Sequence, residues 1–259
     1  MRESVTRKPY NDEKTAVNPV YSSEYSLFCG INKQNRGKLN VSDDTLRRDL
    51  ADLEANGLLT RVHGGAVSRS DTSARIMDRY DQDALAKQKM AEKLVGRFQP
   101  GDTLIIDGGT SNLAVAKMLP QNLPLTVFTN SFPLAAELFT HPLHKTVFLG
   151  GEVDEEGQVT LGIDTYKSLQ MIYADWAIIG VSDLHPTEGL FCIKREEALI
   201  KRCMLMRCGK RVVMASSEKL DKARTFQIAT LNDIDYIVTD DKGATHIRDT
   251  WPKGKWNVL

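Results

Sequence analysis

The 259-residue chain has no excess of either charge, since 34 Lys and Arg balance 34 Asp and Glu. A strongly basic domain is the usual footprint of a nucleic-acid binder, so this balance at first argues against such a partner. Cysteine is scarce: Cys29, Cys192, Cys203 and Cys208 form no C-x-x-C pair and have no histidines at zinc spacing. They read as free buried thiols, and neither a metal nor a cofactor is expected. No stretch approaches the roughly 18 to 20 uninterrupted apolar residues of a membrane helix. Residues 1–14 are polar where a signal peptide needs an apolar core. The expectation is a cytoplasmic protein with no membrane partner. Repeats and low-complexity tracts are absent as well, and 41% apolar with 26% charged residues is the composition of a globular chain. The length suits one large domain, or a large one with a small companion.

Residues 1–38 are polar, with Pro9 and Pro19 and no sustained apolar period, so no order is expected there. The pattern changes at Ser42. That residue is a good N-cap, Asp43 and Asp44 suit the first turn of a helix, and Leu46, Leu50 and Leu53 recur at helical spacing until Asn56-Gly57 ends it. Residues 58–62 and 66–67 flank His63-Gly64-Gly65 and predict two short strands around a tight turn. A long charged helix is expected over 74–98, with Ile76, Leu85, Met90, Leu94 and Val95 as its apolar positions. Beyond Pro100-Gly101, apolar β runs at 103–106, 125–128, 145–149, 176–181, 211–214 and 236–239 alternate with helical segments. The clearest of those are 112–119, 133–139, 166–172 and 195–207. Buried strands alternating with helices predict an α/β domain with a mostly parallel sheet.

Two segments carry chemistry. The helix opening at Ser42 turns Thr45, Arg47 and Arg48 away from its leucine face, and Arg61 and His63 follow on the turn. Guanidiniums pair with guanine edges or phosphates, and small hydroxyls near a helix start can approach the backbone or a base. A solvated helix face would look the same. The second segment, Asp107-Gly108-Gly109-Thr110-Ser111, lies between a predicted strand and a helix, where backbone N–H groups, the helix dipole and two hydroxyls can cradle a phosphate. Thr129-Asn130-Ser131 and Gly150-Gly151 follow the next two strands, and in an open α/β sheet such strand ends line one crevice. Each also suffices as a simple turn or cap.

The run Ser42-Asp43-Asp44-Thr45-Leu46-Arg47-Arg48-Asp49-Leu50, continued by Leu53-Glu54-Ala55-Asn56-Gly57-Leu58-Leu59-Thr60-Arg61-Val62-His63-Gly64-Gly65-Ala66, resembles the second half of the winged helix-turn-helix of the DeoR family of bacterial transcriptional regulators. The resemblance covers roughly residues 39–241. It implies a winged helix-turn-helix over 1–70, a linker helix over 71–98 and a sensor domain over 99–259 that resembles ribose-5-phosphate isomerase. It also implies double-stranded operator DNA and a phosphorylated sugar or sugar alcohol as partners, and a homo-oligomer, dimer or tetramer. The implied DNA-binding residues are Ser42, Thr45, Arg47, Arg48, Arg61 and His63. The implied effector-binding residues are Asp107, Gly108, Gly109, Thr110, Ser111, Thr129, Asn130, Ser131, Gly150, Gly151, Asp175, Glu197, Lys201 and Lys219. Asp175 opens a run like the family's "D-x-A-F-I-G", and Glu197 and Lys201 match its "E-A-x-x-K", although by spacing alone they also fit a surface i, i+4 ion pair.

Two departures stand out. Ser216 and Glu218 replace an aspartate and a hydroxyl in the family's "D-S-S-K" run before Lys219, which alters a contact to the sugar hydroxyls. Upstream, Asn35, Arg36 and Gly37 stand where a positioning helix is expected, as a change of reading frame just before Leu39 would produce. The leading expectation is a repressor of carbohydrate-catabolic genes, with no enzymatic activity. The alternatives are a sugar-phosphate isomerase using Asp107, Asp175 or Glu197 as base, and a sensor that has lost DNA binding. Net neutrality then divides into +2 over residues 1–75 and −2 over the rest, so placement of a few arginines, and not bulk charge, must carry any DNA contact.

Overall fold

The computed structural model describes residues 83–259 without a break and, upstream of them, Cys29–Gly30, Arg48, Ala51, Leu59–Val62, Gly65–Ser68 and Ile76. The chain divides into two compact units, Met1–Ser73 and Ala74–Leu259. In the first, β1 (Cys29–Gly30), β2 (Leu59–Val62) and β3 (Gly65–Ser68) form an antiparallel sheet in the order β1-β3-β2. Strands β2 and β3 pair from Leu59↔Ser68 to Val62↔Gly65, close to the strands expected around the His63 turn. Strand β1 corrects the expectation of no order before residue 39, because Cys29 and Gly30 pair with Ala66 and Gly65. A two-residue strand has no readable period of its own; only its partner defines it.

The first described residue of the second unit is Ile76, buried and in 3-10 conformation, and its first described helix is α1 (Ala84–Val95). The helix expected over 74–98 is thus shorter at its start. Asp83, with φ 49° and ψ 33°, is left-handed, and such a residue cannot continue a right-handed helix into α1.

From there the chain runs β4 (Thr103–Ile106), α2 (Thr110–Met118), β5 (Thr126–Thr129), α3 (Phe132–Leu138), β6 (Lys145–Phe148), the hairpin β7 (Glu152–Asp154) and β8 (Val159–Leu161), and α4 (Gly162–Gln170). It continues through β9 (Ala174–Gly180), β10 (Asp183–His185), β11 (Gly189–Cys192), α5 (Arg195–Met206), β12 (Cys208–Met214), β13 (Phe226–Ala229), β14 (Tyr236–Val238), α6 (Asp241–Thr250) and β15 (Asn257–Val258). All six expected β runs are strands of one sheet, in the order β15-β14-β12-β9-β4-β5-β6, and every pairing in it is parallel. Strands β10, β11 and β13 form a separate antiparallel sheet.

The parallel sheet is covered on both faces, which is why its strands read as continuous apolar runs. Leu104, Ile106, Val127, Ile178, Val212 and Met214 point to one face and meet Met90 and Leu94 of α1, Leu113 and Val115 of α2, and Leu134 of α3. Ile105, Ala177, Ile179 and Val213 point to the other and meet Leu169 of α4, Ile200 and Met204 of α5, and Ile247 of α6. Full burial of each such Leu or Ile contributes about 1.5–3 kcal/mol against the exposed state.

Strand order also locates the crevice. From β4 the chain winds outward through β5 and β6, then returns to the other flank of β4 as β9 and winds outward again through β12, β14 and β15. The carboxyl ends of β4 and β9 therefore flank the topological switch point, where open α/β sheets bind ligands.

Candidate effector-binding site

At the end of β4, Asp107 is buried, and its carboxylate accepts from the backbone N–H of Gly180 at the end of β9 (3.2 Å) and from Lys201 Nζ. Lys201, on α5, is only 3% exposed; it also donates to Gly180 O (2.8 Å) and pairs with Glu197 Oε1 at 3.1 Å. An i, i+4 pair that the sequence allows to be a surface feature is thus part of a three-residue charge cluster at the switch point. Burial raises the Asp107 carboxyl against the opposing pull of Lys201. Burial works to lower Lys201, but Asp107 and then Glu197 outweigh it and hold the ammonium above its ordinary value. The lysine is cationic at neutral pH. Cys192 adjoins the cluster, and burial and the Glu197 charge push its thiol up to about 12, so it is not a nucleophile.

The turn after Asp107 is held open by its own residues. Asn112 of α2 is fully buried and donates to Asp107 O (3.0 Å) and Gly108 O (2.9 Å). A Cβ on Gly108 would lie 2.4 Å from Val159 Cγ1, so only glycine fits beneath β8. Gly109 is the N-cap of α2 with φ 109°, a conformation glycine alone adopts easily, and no side chain caps the helix. The first intrahelical bond runs from Leu113 N to Gly109 O (2.9 Å). The N–H groups of residues 110–112 precede it and, with the hydroxyls of Thr110 and Ser111, define a positive helix end.

The neighbouring turns differ. Thr129, Asn130 and Ser131 are all buried; Ser131 caps α3 by accepting from Leu134 N (3.5 Å), and Asn130 Nδ2 donates to Thr160 O (2.8 Å). Gly150 accepts from Thr165 Oγ1 (2.8 Å), and a Cβ on Gly151, at φ 152°, would sit 2.0 Å from that same oxygen. Lys219 Nζ donates to Val181 O (2.9 Å), one residue beyond the end of β9.

Asp107 to Ser111, Glu197, Lys201 and Lys219 therefore gather at the ends of β4 and β9, and the residues at 129–131 and 150–151 flank them at the ends of β5 and β6. Asp175 does not join them. It is the second residue of β9, at the amino end of the strand away from the crevice, is exposed, and accepts from Thr103 N (2.7 Å). Five residues separate it from Gly180, about 16 Å along a strand. A resemblance of short runs places a residue on an element but says nothing about which end of the strand faces the crevice.

Sequence reasoning passed over Asn112, Gly180, Thr160 and the hairpin β7–β8. An asparagine four residues into a glycine turn is a local signal for Asn112; the others are defined only by contacts distant in sequence. Of the residues expected to meet DNA, Arg48 is helical and exposed and Arg61 lies within β2, whereas Ser42, Thr45, Arg47 and His63 lie outside the described residues. Among the described residues, no group of three or more His, Cys, Asp or Glu is placed to hold a metal ion, and no helix is long and apolar enough to cross a membrane. Cys192, Cys203 and Cys208 are free and buried.

A doubly covered parallel sheet with a charged crevice at its switch point, preceded by a small antiparallel β-sheet unit, places the chain among α/β ligand-binding folds. Family models match accordingly: the DeoR C terminal sensor domain over residues 82–241 and the DeoR-like helix-turn-helix domain over 37–72. The chain belongs to the DeoR family of transcriptional regulators. It is 30% identical over 206 residues to the HTH-type transcriptional regulator GolR of Listeria innocua, covering 79% of this chain and 81% of that one. The HTH-type transcriptional repressor GlcR of Bacillus subtilis is also 30% identical, over 204 residues and 78% of each chain. Among solved structures, ribose 5-phosphate isomerase A from Methanocaldococcus jannaschii aligns over 52% of this chain and 53% of its own, with 18% identity and a TM-score of 0.36, a likeness that carries no functional weight.

Proposed function

We propose that this regulator is a repressor of carbohydrate-catabolic genes whose DNA affinity is set by a phosphorylated sugar or sugar alcohol bound at the switch point. The observation that carries the reading is the start of α2: a helix end at Gly109 with no side-chain cap, at the carboxyl end of β4 where the strand order reverses. The phosphate sits on the N–H groups and hydroxyls of residues 109–111, with Lys219 contributing positive charge from the end of β9. The sugar hydroxyls face Glu197 and the turns at 129–131 and 150–151. Ser216 Oγ donates to Glu218 Oε1 (2.9 Å), so the two residues that depart from the family pattern satisfy one another beside Lys219.

Isomerase chemistry finds little support in the carboxylates. A general base must reach a substrate proton; Asp107 is bound by Lys201 and Gly180 and Asp175 is at the other end of its strand, which leaves of the three carboxylates only Glu197, itself paired with Lys201 at 3.1 Å. In the small unit, Arg48 and Arg61 contact operator DNA together with Ser42, Thr45, Arg47 and His63, in a homo-oligomer reading a two-fold site in the cytoplasm.

Thermal melting of the full chain tests the pocket, with ribose 5-phosphate and fructose 6-phosphate compared against ribose and fructose. A ligand at a hundred times its Kd adds about 2.7 kcal/mol. Stabilisation by the phosphorylated set alone supports the reading, and equal response to both sets removes the phosphate site. A gel shift with the upstream DNA of neighbouring genes tests the other unit: affinity must fall steeply with salt and with Arg47→Ala or Arg48→Ala.

A further inference from the structure

The hairpin β7–β8 touches the ends of β4, β5 and β6, three of the strand ends expected to hold the effector. Val159 packs on Gly108, Asn130 O accepts from Thr160 N (2.8 Å), and Thr160 Oγ1 donates to Leu149 O, next to Gly150. Its tip is fixed elsewhere. Lys194, the residue before α5, pairs with Asp154 Oδ1 (2.5 Å) and Glu156 Oε2 (2.7 Å), so the hairpin is tied to the helix that carries Glu197 and Lys201. A third contact gives this arrangement its meaning. Glu156 O accepts from the backbone N–H of Ile76 (3.0 Å), and Ile76 is 2% exposed although it lies three residues beyond the end of the first compact unit.

We infer that the β7–β8 hairpin, held by Lys194, transmits effector occupancy from the strand-end crevice to the segment leading to the DNA-binding unit. This inference rests on the proposed effector pocket. A continuous helix over 74–98 would offer a more direct link, but α1 begins only at Ala84, after a left-handed Asp83, and its buried residues face the sheet. The hairpin instead has one side against the crevice turns and its tip on Ile76. A ligand that draws the Gly108 and Asn130 turns together must move Val159 and Thr160 with them, because packed contacts shift between discrete arrangements and do not stretch. Lys194 is a positioning residue here: both its carboxylate partners are on the hairpin, and it takes no part in holding the ligand.

Hydrogen exchange on the full chain tests the inference, read for the peptide spanning Ile76 and for the peptide 107–113, with Lys194→Met and Glu156→Gln as variants. Glu156→Gln changes an exposed side chain and keeps the carbonyl that Ile76 uses, so it remains informative if Lys194→Met does not fold. Without ligand, the Ile76 peptide should exchange about fivefold faster in Lys194→Met, the size that partly exposed ion pairs allow, and by a smaller factor in Glu156→Gln. Unchanged exchange in both variants overturns the inference. Inorganic phosphate, ribose 5-phosphate and fructose 6-phosphate are the probes. A probe that protects both peptides in the natural protein, but only 107–113 in a variant, supports the transmission. Protection of 107–113 with no response at Ile76 in the natural protein overturns the transmission and leaves the pocket standing. If none of the three protects 107–113, the pocket reading falls, and the hairpin has no occupancy to transmit.

Discussion

Two helices of the same sheet begin in opposite ways. After β14, α6 starts at Asp240, whose carboxylate accepts from Gly243 N (2.9 Å) and Ser217 N (2.7 Å). After β4, α2 starts at Gly109 with no side-chain cap at all. Both helix ends attract negative charge. The first carries its own anion as part of the chain, and the second has a glycine with no side chain to cap it. A glycine N-cap costs only a few tenths of a kcal/mol relative to a capping side chain, and α1, α4 and α5 also start without a side-chain cap bond, so it is the place of the α2 start, at the switch point, that suits it to the proposed anion.

The comparison is most severely tested at Lys201. Lys201→Met leaves the Asp107 carboxylate buried without its cation, and removal of one partner from a buried pair costs about 3–5 kcal/mol. Urea denaturation should show that loss, with part of it restored by adding Asp107→Asn; a loss confined to the range of surface variants would mean that the α2 end does not depend on the charge cluster. Next in size is Gly108→Ala, which drives a methyl group into Val159 and should cost about 1–3 kcal/mol. Gly150→Ala meets open space, so its denaturation midpoint should not move.

The capped end gives a pH signature. Burial alone would raise Asp240, but the N–H groups of Ser217 and Gly243 outweigh it and hold the carboxyl below its ordinary value of 3.8. A pKa depressed on folding contributes stability that is present above the unfolded value and lost as pH falls through the folded one. Asp240→Ala should therefore destabilise by about 1 kcal/mol at neutral pH and flatten the acid limb of the melting curve between pH 5 and 2, values bracketing the carboxylate range. An unchanged acid limb would show that the cap is not charged. The smallest effect belongs to Asp241, whose ion pair with Lys93 is exposed. Asp241→Asn should leave the melting temperature where it was.

How far the fold is legible in the sequence can be judged strand by strand. The runs at 103–106 and 145–149 are found within a residue because they are short, apolar and bounded by turn residues. Strands β7, β8, β10 and β13 carry no such run, whereas β11 has one, Leu190-Phe191-Cys192, which the sequence reading passed over. Glu152-Val153-Asp154 has one apolar residue, and its pairing with β8 from Glu152↔Leu161 onward is a tertiary choice. The same division holds at the site. Glycine turns and hydroxyls are local chemistry and can be read directly, whereas the misplacement of Asp175 came from a motif that identifies a strand without orienting it.

The class of regulator is legible in the run from Ser42 to Ala66 through its resemblance to the DeoR family, and the alternating α/β sensor and glycine-bearing strand ends are legible because apolar period and turn chemistry are properties of neighbouring residues. Only the tertiary structure decided that Lys201 is a buried member of the crevice and not half of a surface pair, that Asp175 stands at the far end of its strand, and that Ile76 rests on the tip of a hairpin. Each of these depends on which strand returned to which side of β4. A parallel sheet is joined by crossovers, and the residues it brings together are distant in sequence.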